Sequence, residues 1–395
     1  MDFSTIDIFC HCIDNFGDAG VAYRFAKELK IARPGCRVRV FTDDLQAMRA
    51  VEGGIDPSAV IQEYGSVTCI NTLLLDDGLA KTLGTAEVMV ETFACHIPEK
   101  LMEMAYNGSR LIINLEYLSA EDWVEDYHLK ESLLGRGTVR KFYFMPGFRE
   151  GTGGLIINSK LQFWRDFGGL GFREDESQLV GTVFTYERGF DALLGDLVDF
   201  GRDTVLLIFG DKSQRGMSST LSRAGIDTPL ESPYQRQRLP QYQYKNIRLI
   251  YMPFIDQHSY DALLCCTDFN IVRGEDSLAR AVLSGRPFIW NAYIQDEKYQ
   301  LVKVRALLKT LQPFFGDAGS FAAWSALMLA FNGAAAESSE QSTPERYDTF
   351  FKNLKKNAHA ASAIYYFMLR NCNLVSRLLS FLDGYQPNAA VNNNQ

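Results

Sequence analysis

Short apolar, branched or aromatic runs recur through the first half of the chain, at Ile6–Cys12, Arg37–Thr42, Glu87–Thr92, Arg110–Leu115 and Lys141–Met145. Each has strand length and favours residues that suit a pleated, buried surface. Helical spacing appears between them, as in Val21, Phe25 and Leu29 after the first run and Leu101, Met104 and Ala105 after the third. The alternation predicts an α/β sheet with parallel pairing. A glycine-rich stretch follows, from Pro146-Gly147 to Gly153-Gly154, and Phe167–Phe172 adds three more glycines. The pattern then restarts, with strands predicted at Leu179–Thr185, Val205–Phe209, Ile247–Met252, Asp268–Val272 and Pro287–Trp290, and helices at Asp256–Cys266 and Asp276–Leu283. Ala336–Glu345 reads as a polar surface linker and Tyr347–Leu382 as a long helix or helix pair. The expected division is a first α/β domain over 1–155, a linker over 156–177, a second α/β domain over 178–345, a helical segment over 346–383 and a disordered tail over 384–395.

Composition agrees with this division. The chain has 395 residues, 47% hydrophobic and 22% charged, which excludes collagen-like, disordered and disulfide-scaffold classes. The length suits two domains that each bury a substantial core. A net charge of −8 argues against nucleic acid or an anionic membrane as the main partner. Eight cysteines scattered through apolar runs read as reduced cytosolic thiols. Two acids in the first seven residues stand where a secretory signal needs positive charge, so no export is expected. The longest uncharged stretch near the end, Ala318 to Ala336, is interrupted by Gly319, Ser320, Asn332 and Gly333 and is too short in its continuous part to span a bilayer.

Open parallel sheets bind ligands outside the carboxyl ends of their strands. If two such sheets face one another, their strand-end loops line one cleft. The loops in question hold Asp14–Gly20, Tyr186–Arg188, Gly210-Asp211, Pro253–Gln257 and Gly274–Ser277. In Asp14-Asn15-Phe16-Gly17-Asp18-Ala19-Gly20, glycines allow close backbone approach to an anion or sugar, and the helix start adds positive partial charge. Asp14 and Asp18 could both reach a ligand; a capping Asp and a turn Asp account for the same residues. The stretch is neither the dinucleotide fingerprint nor a Walker loop.

Ile271-Val272-Arg273-Gly274-Glu275-Asp276-Ser277 repeats the form of a strand end, a glycine and a polar helix start. Backbone N–H groups near Asp276 and Ser277 would suit a diphosphate, with the Ser277 hydroxyl as a donor and Arg273 as countercharge. Glu275, repelled by phosphate, better suits sugar hydroxyls; a plain helix cap is the alternative. Phe254 and Tyr186 offer rings for a nucleotide base, or for core packing, and Gln257 could read a pyrimidine edge or simply face solvent. Other candidates are weaker. Cys10-His11-Cys12 lies in a predicted strand whose side chains alternate faces, so it does not suit a metal. Asp43-Asp44 and Asp76-Asp77 look like strand-end turns, and the five histidines accompany no nucleophile motif.

Four motifs stand in order: Asp14-Asn15-Phe16-Gly17-Asp18; Asn114-Leu115-Glu116-Tyr117-Leu118-Ser119-Ala120-Glu121-Asp122-Trp123; Pro146-Gly147-Phe148 with Gly153-Gly154-Leu155; and Arg273-Gly274-Glu275-Asp276-Ser277. Together they resemble the bacterial elongation factor P arginine rhamnosyltransferases, from about residue 6 to residue 300 and on toward 382. The resemblance implies a GT-B glycosyltransferase fold, with two Rossmann-like domains facing an interdomain cleft and, by analogy, a C-terminal helical segment over 346–383 crossing back to the first domain. It also implies dTDP-β-L-rhamnose as co-substrate, no metal or other cofactor, and inverting transfer to an arginine in the N-terminal domain of elongation factor P, activating that factor for polyproline stall rescue. No direct nucleic-acid or membrane partner is implied, and the location is cytoplasmic. Carried over, Asp18 is the general base, Asp14 its acceptor-site partner and Glu275 a donor-site residue required for turnover. Phe16, Gly17, Tyr186, Phe254, Gln257, Arg273, Gly274, Asp276 and Ser277 fall to nucleotide-sugar binding. The rivals are a nucleotide-sugar epimerase or hydrolase and a non-catalytic module that binds a sugar nucleotide or the translation factor.

Overall fold

A computed structural model of the chain describes residues 3–12, 16–133, 139–169, 171–228, 239–334 and 343–386. It divides into two compact units: one of residues 1–159 and 370–395, the other of residues 160–369.

The first unit holds β1 (Thr5–Cys10), α1 (Phe16–Ala32), β2 (Arg37–Thr42), α2 (Leu45–Val51), β3 (Ile61–Tyr64), β4 (Val67–Asn71) and α3 (Asp77–Leu83). It continues through β5 (Val88–Thr92), α4 (Glu99–Gly108), β6 (Leu111–Leu115), α5 (Trp123–Tyr127) and β7 (Arg140–Phe144). The strand order is β3-β4-β2-β1-β5-β6-β7, parallel except for the β3-β4 hairpin. Alternation along each strand feeds two cores. Ile6, Ile8, Val38, Val40, Val88 and Val90 pack beneath α1, while Phe9, Phe41, Met89 and Ile112 pack on the other face against α4. Sequence patterning passed over β3 and β4 because the hairpin is short and partly polar. Its turn, Gly65-Ser66, has positive φ at both residues, as a tight hairpin requires.

The second unit holds α6 (Leu161–Phe167), β8 (Leu179–Val183), α7 (Asp191–Phe200), β9 (Thr204–Phe209), α8 (Asp211–Arg223), β10 (Gln241–Tyr244) and β11 (Ile247–Met252). After these come α9 (Gln257–Cys266), β12 (Phe269–Arg273), α10 (Gly274–Ser284), β13 (Phe288–Asn291), α11 (Gln300–Leu311) and α12 (Ala318–Phe331). The order β10-β11-β9-β8-β12-β13 is parallel but for the edge strand β10. Both sheets are doubly wound, and their strand order reverses beside the first strand of each.

The region read as one helix or a pair is three: α13 (Tyr347–Lys352), α14 (Leu354–Asn371) and α15 (Leu374–Gly384). The Asn373 side chain accepts from the Ser376 N–H and starts α15 afresh. That break is also where the chain changes unit, since α15 packs Leu374, Val375, Leu378 and Leu382 into the first unit's core. The glycine-rich stretch at 146–154, at the end of the expected first domain, lies inside the first unit and seats this helix. Leu155 bridges to Asn373, and Arg377 donates to the Thr152 carbonyl. Gly154 sits at φ +84°, where a Cβ would run into the Cys372 carbonyl. Residues 335–342 of the expected linker and 387–395 of the expected tail lie outside the described residues. No helix among the described residues is long and apolar enough to cross a membrane.

Candidate functional site

In the second unit the candidate residues gather at the carboxyl ends of β8, β11 and β12, where doubly wound sheets bind ligands. Arg273 ends β12 in extended conformation, Gly274 turns the chain at φ +70°, and α10 begins at once. A residue with a Cβ would strain this turn, which brings the first N–H groups of α10 to the sheet edge. The Gly274 carbonyl accepts from Trp290 Nε1 at 3.0 Å, so the end of β13 braces the turn. Arg273 donates to the Thr185 carbonyl at 3.3 Å, and its guanidinium lies 4.4 Å from the Phe184 ring centroid and 5.0 Å from that of Tyr186. Tyr186 is fixed in turn by its N–H, which donates to Asn291 Oδ1 at 3.0 Å, and by an edge contact with Tyr293 at 5.6 Å.

The first turn of α10 carries Glu275 and Asp276. Lys303 of α11 donates to Glu275 Oε1 at 3.1 Å, and Arg280 lies 3.8 Å from Asp276 one turn along. Buried Arg280 also faces buried Asp261 of α9 at 3.8 Å. Tyr260 presents its hydroxyl beside Ser277, and burial pushes its pKa up. At the end of β11, Asp256 caps α9 by accepting from the Ser259 N–H and hydroxyl at 2.9 and 2.7 Å. Burial would raise the Asp256 pKa, but those bonds outweigh it and hold the carboxyl below its usual value. The cap places Gln257 at the helix start, and Phe254 just before it keeps 45% of its surface exposed. A half-exposed ring at a strand end is reachable by a ligand as a core ring is not. Arg273, Gly274, Glu275, Asp276, Ser277 and Tyr186 therefore share one edge, with Phe254 and Gln257 at the end of another strand of the same sheet. Lys303, Trp290, Asn291 and Tyr260 were absent from the sequence expectation. Trp290 at the end of a predicted strand was the one available signal; the Lys303–Glu275 pairing spans 28 positions and leaves none.

In the first unit, Asp18 stands in the first turn of α1, beyond the carboxyl end of β1, and is 4% exposed. A carboxylate there is favoured by the helix dipole. Gly17 precedes it, half-buried. Asp14 and the side chain of Phe16 lie outside the described residues. Of the expected strand Ile6–Cys12, only the part to Cys10 is strand. Beyond it His11 pairs with Asp43, whose other oxygen accepts from the Cys12 N–H at 3.0 Å. Asp44 and Asp76 cap α2 and α3 through Ala47 and Leu79. No three His, Cys, Asp or Glu side chains among the described residues gather as a metal site would need. On the neighbouring strand, Phe93 and Ala94 follow β5 with φ +59° and +48°, and Phe93 stacks on Tyr117 at 4.4 Å. Consecutive left-handed non-glycine residues are costly, and such strain concentrates where loops are held for function. Tyr117 belongs to the second sequence motif, which is tied to the third by Arg149, donating to Asp122 and to the Ala120 carbonyl at 2.9 and 2.8 Å.

The chain matches the elongation factor P rhamnosyltransferase family EarP over residues 6–383. It belongs to that family. The chain is therefore an enzyme of a glycosyltransferase family. A protein-arginine rhamnosyltransferase of Pseudomonas putida is 33% identical over 364 residues, covering 87% of this chain and 92% of that protein. One from Shewanella oneidensis is 31% identical over 353 residues, covering 82% and 85%. A solved structure described as the basis of EarP-mediated arginine glycosylation of translation elongation factor EF-P superposes with a TM-score of 0.59 at 22% identity, covering 97% of this chain and 99% of that one. The fold class is GT-B, with two Rossmann-like units in one chain.

Proposed function

We propose that this EarP-family enzyme transfers L-rhamnose, with inversion, from dTDP-β-L-rhamnose to an arginine in the N-terminal domain of elongation factor P. On this proposal the modified factor then relieves ribosomes stalled on polyproline, and the enzyme works in the cytoplasm alongside it. Curated relatives bearing the name protein-arginine rhamnosyltransferase support the acceptor class. The observation that carries the donor half is the Arg273–Ser277 turn, a helix start beside a guanidinium at a sheet's carboxyl edge. Such a start suits a diphosphate, and Arg273 supplies countercharge as the leaving group departs, so no metal is called for. Phe254 would stack on the base, with Gln257 at its edge and Tyr186 beside Arg273; Gly274 lets the backbone approach, and Asp276 and Ser277 line the helix start. Phe16 and Gly17, at the start of α1, are proposed as further contacts to the nucleotide sugar.

The acceptor chemistry constrains the base. A guanidinium is planar, delocalised and protonated up to a pKa above about 12, so it is a poor nucleophile. Aspartate, with an ordinary pKa near 4, is too weak to deprotonate it beforehand. Asp18 therefore accepts the proton as, or after, the nitrogen attacks, while Asp14 helps orient the guanidinium. Attack opposite the departing dTDP gives inversion. Glu275 accepts from the sugar hydroxyls.

Intact mass spectrometry of elongation factor P after incubation with the enzyme and dTDP-β-L-rhamnose tests the proposal. One added deoxyhexose, localised to an arginine, is the expected result. Donor consumed with no change in acceptor mass would mark an epimerase or hydrolase instead, and an intact donor would mark a binding module.

A further inference from the structure

The first turn of α10 presents an electrostatic problem. It holds two adjacent carboxylates, Glu275 and Asp276, at the helix start where a nucleotide diphosphate is proposed to sit. Uncompensated, they would repel that anion and oppose the helix-start N–H groups that favour it. Each carboxylate has a cation beside it: Arg280 lies 3.8 Å from Asp276, and Lys303 lies 3.1 Å from Glu275. Arg280 comes from the same helix. Lys303 comes from a different one, and the way its helix is held gives the contact a fixed geometry.

Lys303 stands in the first turn of α11, whose Val304, Leu307, Leu308 and Leu311 are buried. Gln300, one turn earlier, accepts from the Gln295 N–H at 3.2 Å and donates to the Asn332 carbonyl at 3.5 Å. Asn332 donates to the Trp290 carbonyl at 2.8 Å, and Trp290 donates to the Gly274 carbonyl at 3.0 Å. A continuous set of hydrogen bonds thus links the start of α11 to the turn that starts α10. Lys303 reaches Glu275 from a base braced against the same turn that carries Glu275.

We propose that Lys303 is a positioning residue of the donor site. Its ammonium engages Glu275 Oε1, which fixes the side chain, leaves the second oxygen to accept from the donor's sugar hydroxyls, and cancels a negative charge beside the diphosphate. The inference rests on the donor-site reading of Glu275 given above. Lys303 acts through Glu275 and not on the nucleotide, so its loss falls mainly on the sugar-bearing donor, and the uncovered Glu275 charge, screened by solvent, weakens dTDP only slightly. A pair with side chains 24% and 30% exposed adds little to folding stability, so a purely structural role would leave turnover almost untouched.

Four variants separate these roles: Lys303→Met, Lys303→Arg, Glu275→Gln, and the double variant Lys303→Met with Glu275→Gln. The measurements are dTDP affinity by calorimetry, kcat and KM for dTDP-β-L-rhamnose with elongation factor P as acceptor, and thermal unfolding. Lys303→Met is expected to bind dTDP within about twofold of the wild type while kcat/KM falls by about tenfold, and Lys303→Arg to recover most of the loss. In the Glu275→Gln background the same lysine change should cost no more than about twofold, because its partner charge is already gone. Should Lys303→Met not fold, Lys303→Gln carries the same test. Wild-type kcat/KM in the lysine variant overturns the inference, as does an undiminished loss in the Glu275→Gln background. A fall in dTDP affinity as large as the fall in turnover would make Lys303 a phosphate ligand and overturn it too. If the wild type itself neither binds dTDP nor consumes dTDP-β-L-rhamnose, the donor-site reading falls first and takes this inference with it.

Discussion

At the scale of single residues, the buried carboxylate of Asp18 and the turn of Arg273–Ser277 bear most of the proposed chemistry. Asp18→Asn preserves shape and hydrogen-bonding capacity but removes the proton acceptor. Transfer should fall by roughly 10²–10⁴-fold, the usual contribution of a positioned base, with dTDP affinity unchanged by calorimetry. Near-normal turnover in that variant would remove Asp18 from the role. A second residue ties pH to stability. His128 accepts from the Met145 N–H at 3.2 Å, and burial, helped by the nearby charge of Arg377, pushes its pKa down to about 4. The unfolded chain takes up the proton near pH 6.5 and the folded chain does not, so this group's contribution is intact above pH 6.5 and is lost as pH falls toward 4. Discounted for partial solvent access, the loss is about 1–2 kcal/mol. Urea melts at pH 7 and pH 5 should show it, and His128→Gln should flatten the difference; equal pH dependence in the variant would assign the effect elsewhere. Neither the His128 environment nor the Lys303–Glu275 pair was legible in the sequence, because each depends on side chains brought together from distant segments. The helix start at Gly274 was legible, since a glycine after an apolar run and before polar residues is a local signal.

At the scale of elements, the buried parallel strands could be read because burial on both faces demands continuous apolar runs, as in Val205–Phe209 and Ile247–Met252. Edge strands lack that demand. Gln241–Tyr244 alternates glutamine and tyrosine at the rim of its sheet and gave no such run. The third sequence motif was visible but its purpose was not: its glycines form the seat of α15. This makes Gly154 a sharp test. Any side chain there meets both an unfavourable left-handed φ and the Cys372 carbonyl. Gly154→Ala should cost at least about 2–3 kcal/mol in urea denaturation, more than the roughly 1 kcal/mol expected from backbone conformation alone. A cost under about 1 kcal/mol would show that the carbonyl moves aside freely.

At the scale of the whole molecule, the chain leaves the first unit after residue 159 and returns to it at residue 370, so its last helix completes a core begun by its first strand. Leu374, Val375, Leu378 and Leu382 are all buried in that core. At about 1.5–3 kcal/mol for each buried side chain, their removal forfeits roughly 6–12 kcal/mol, comparable to the entire stability of an ordinary domain. The second unit loses nothing of its sheet by the same cut, and Arg273–Ser277, Tyr186, Phe254 and Gln257 all belong to it. A chain ending at residue 369 should therefore unfold in β1–β7 while β8–β13 keep their structure. Hydrogen exchange would show amide protection lost in the first sheet and kept in the second, and calorimetry would still detect dTDP binding without any transfer to elongation factor P. Protection retained in β1–β7 would mean that α15 decorates the first unit without completing it. Lost protection in β8–β13 would mean that the two units fold as one, so that the chain's return makes a single cooperative molecule out of two sheets.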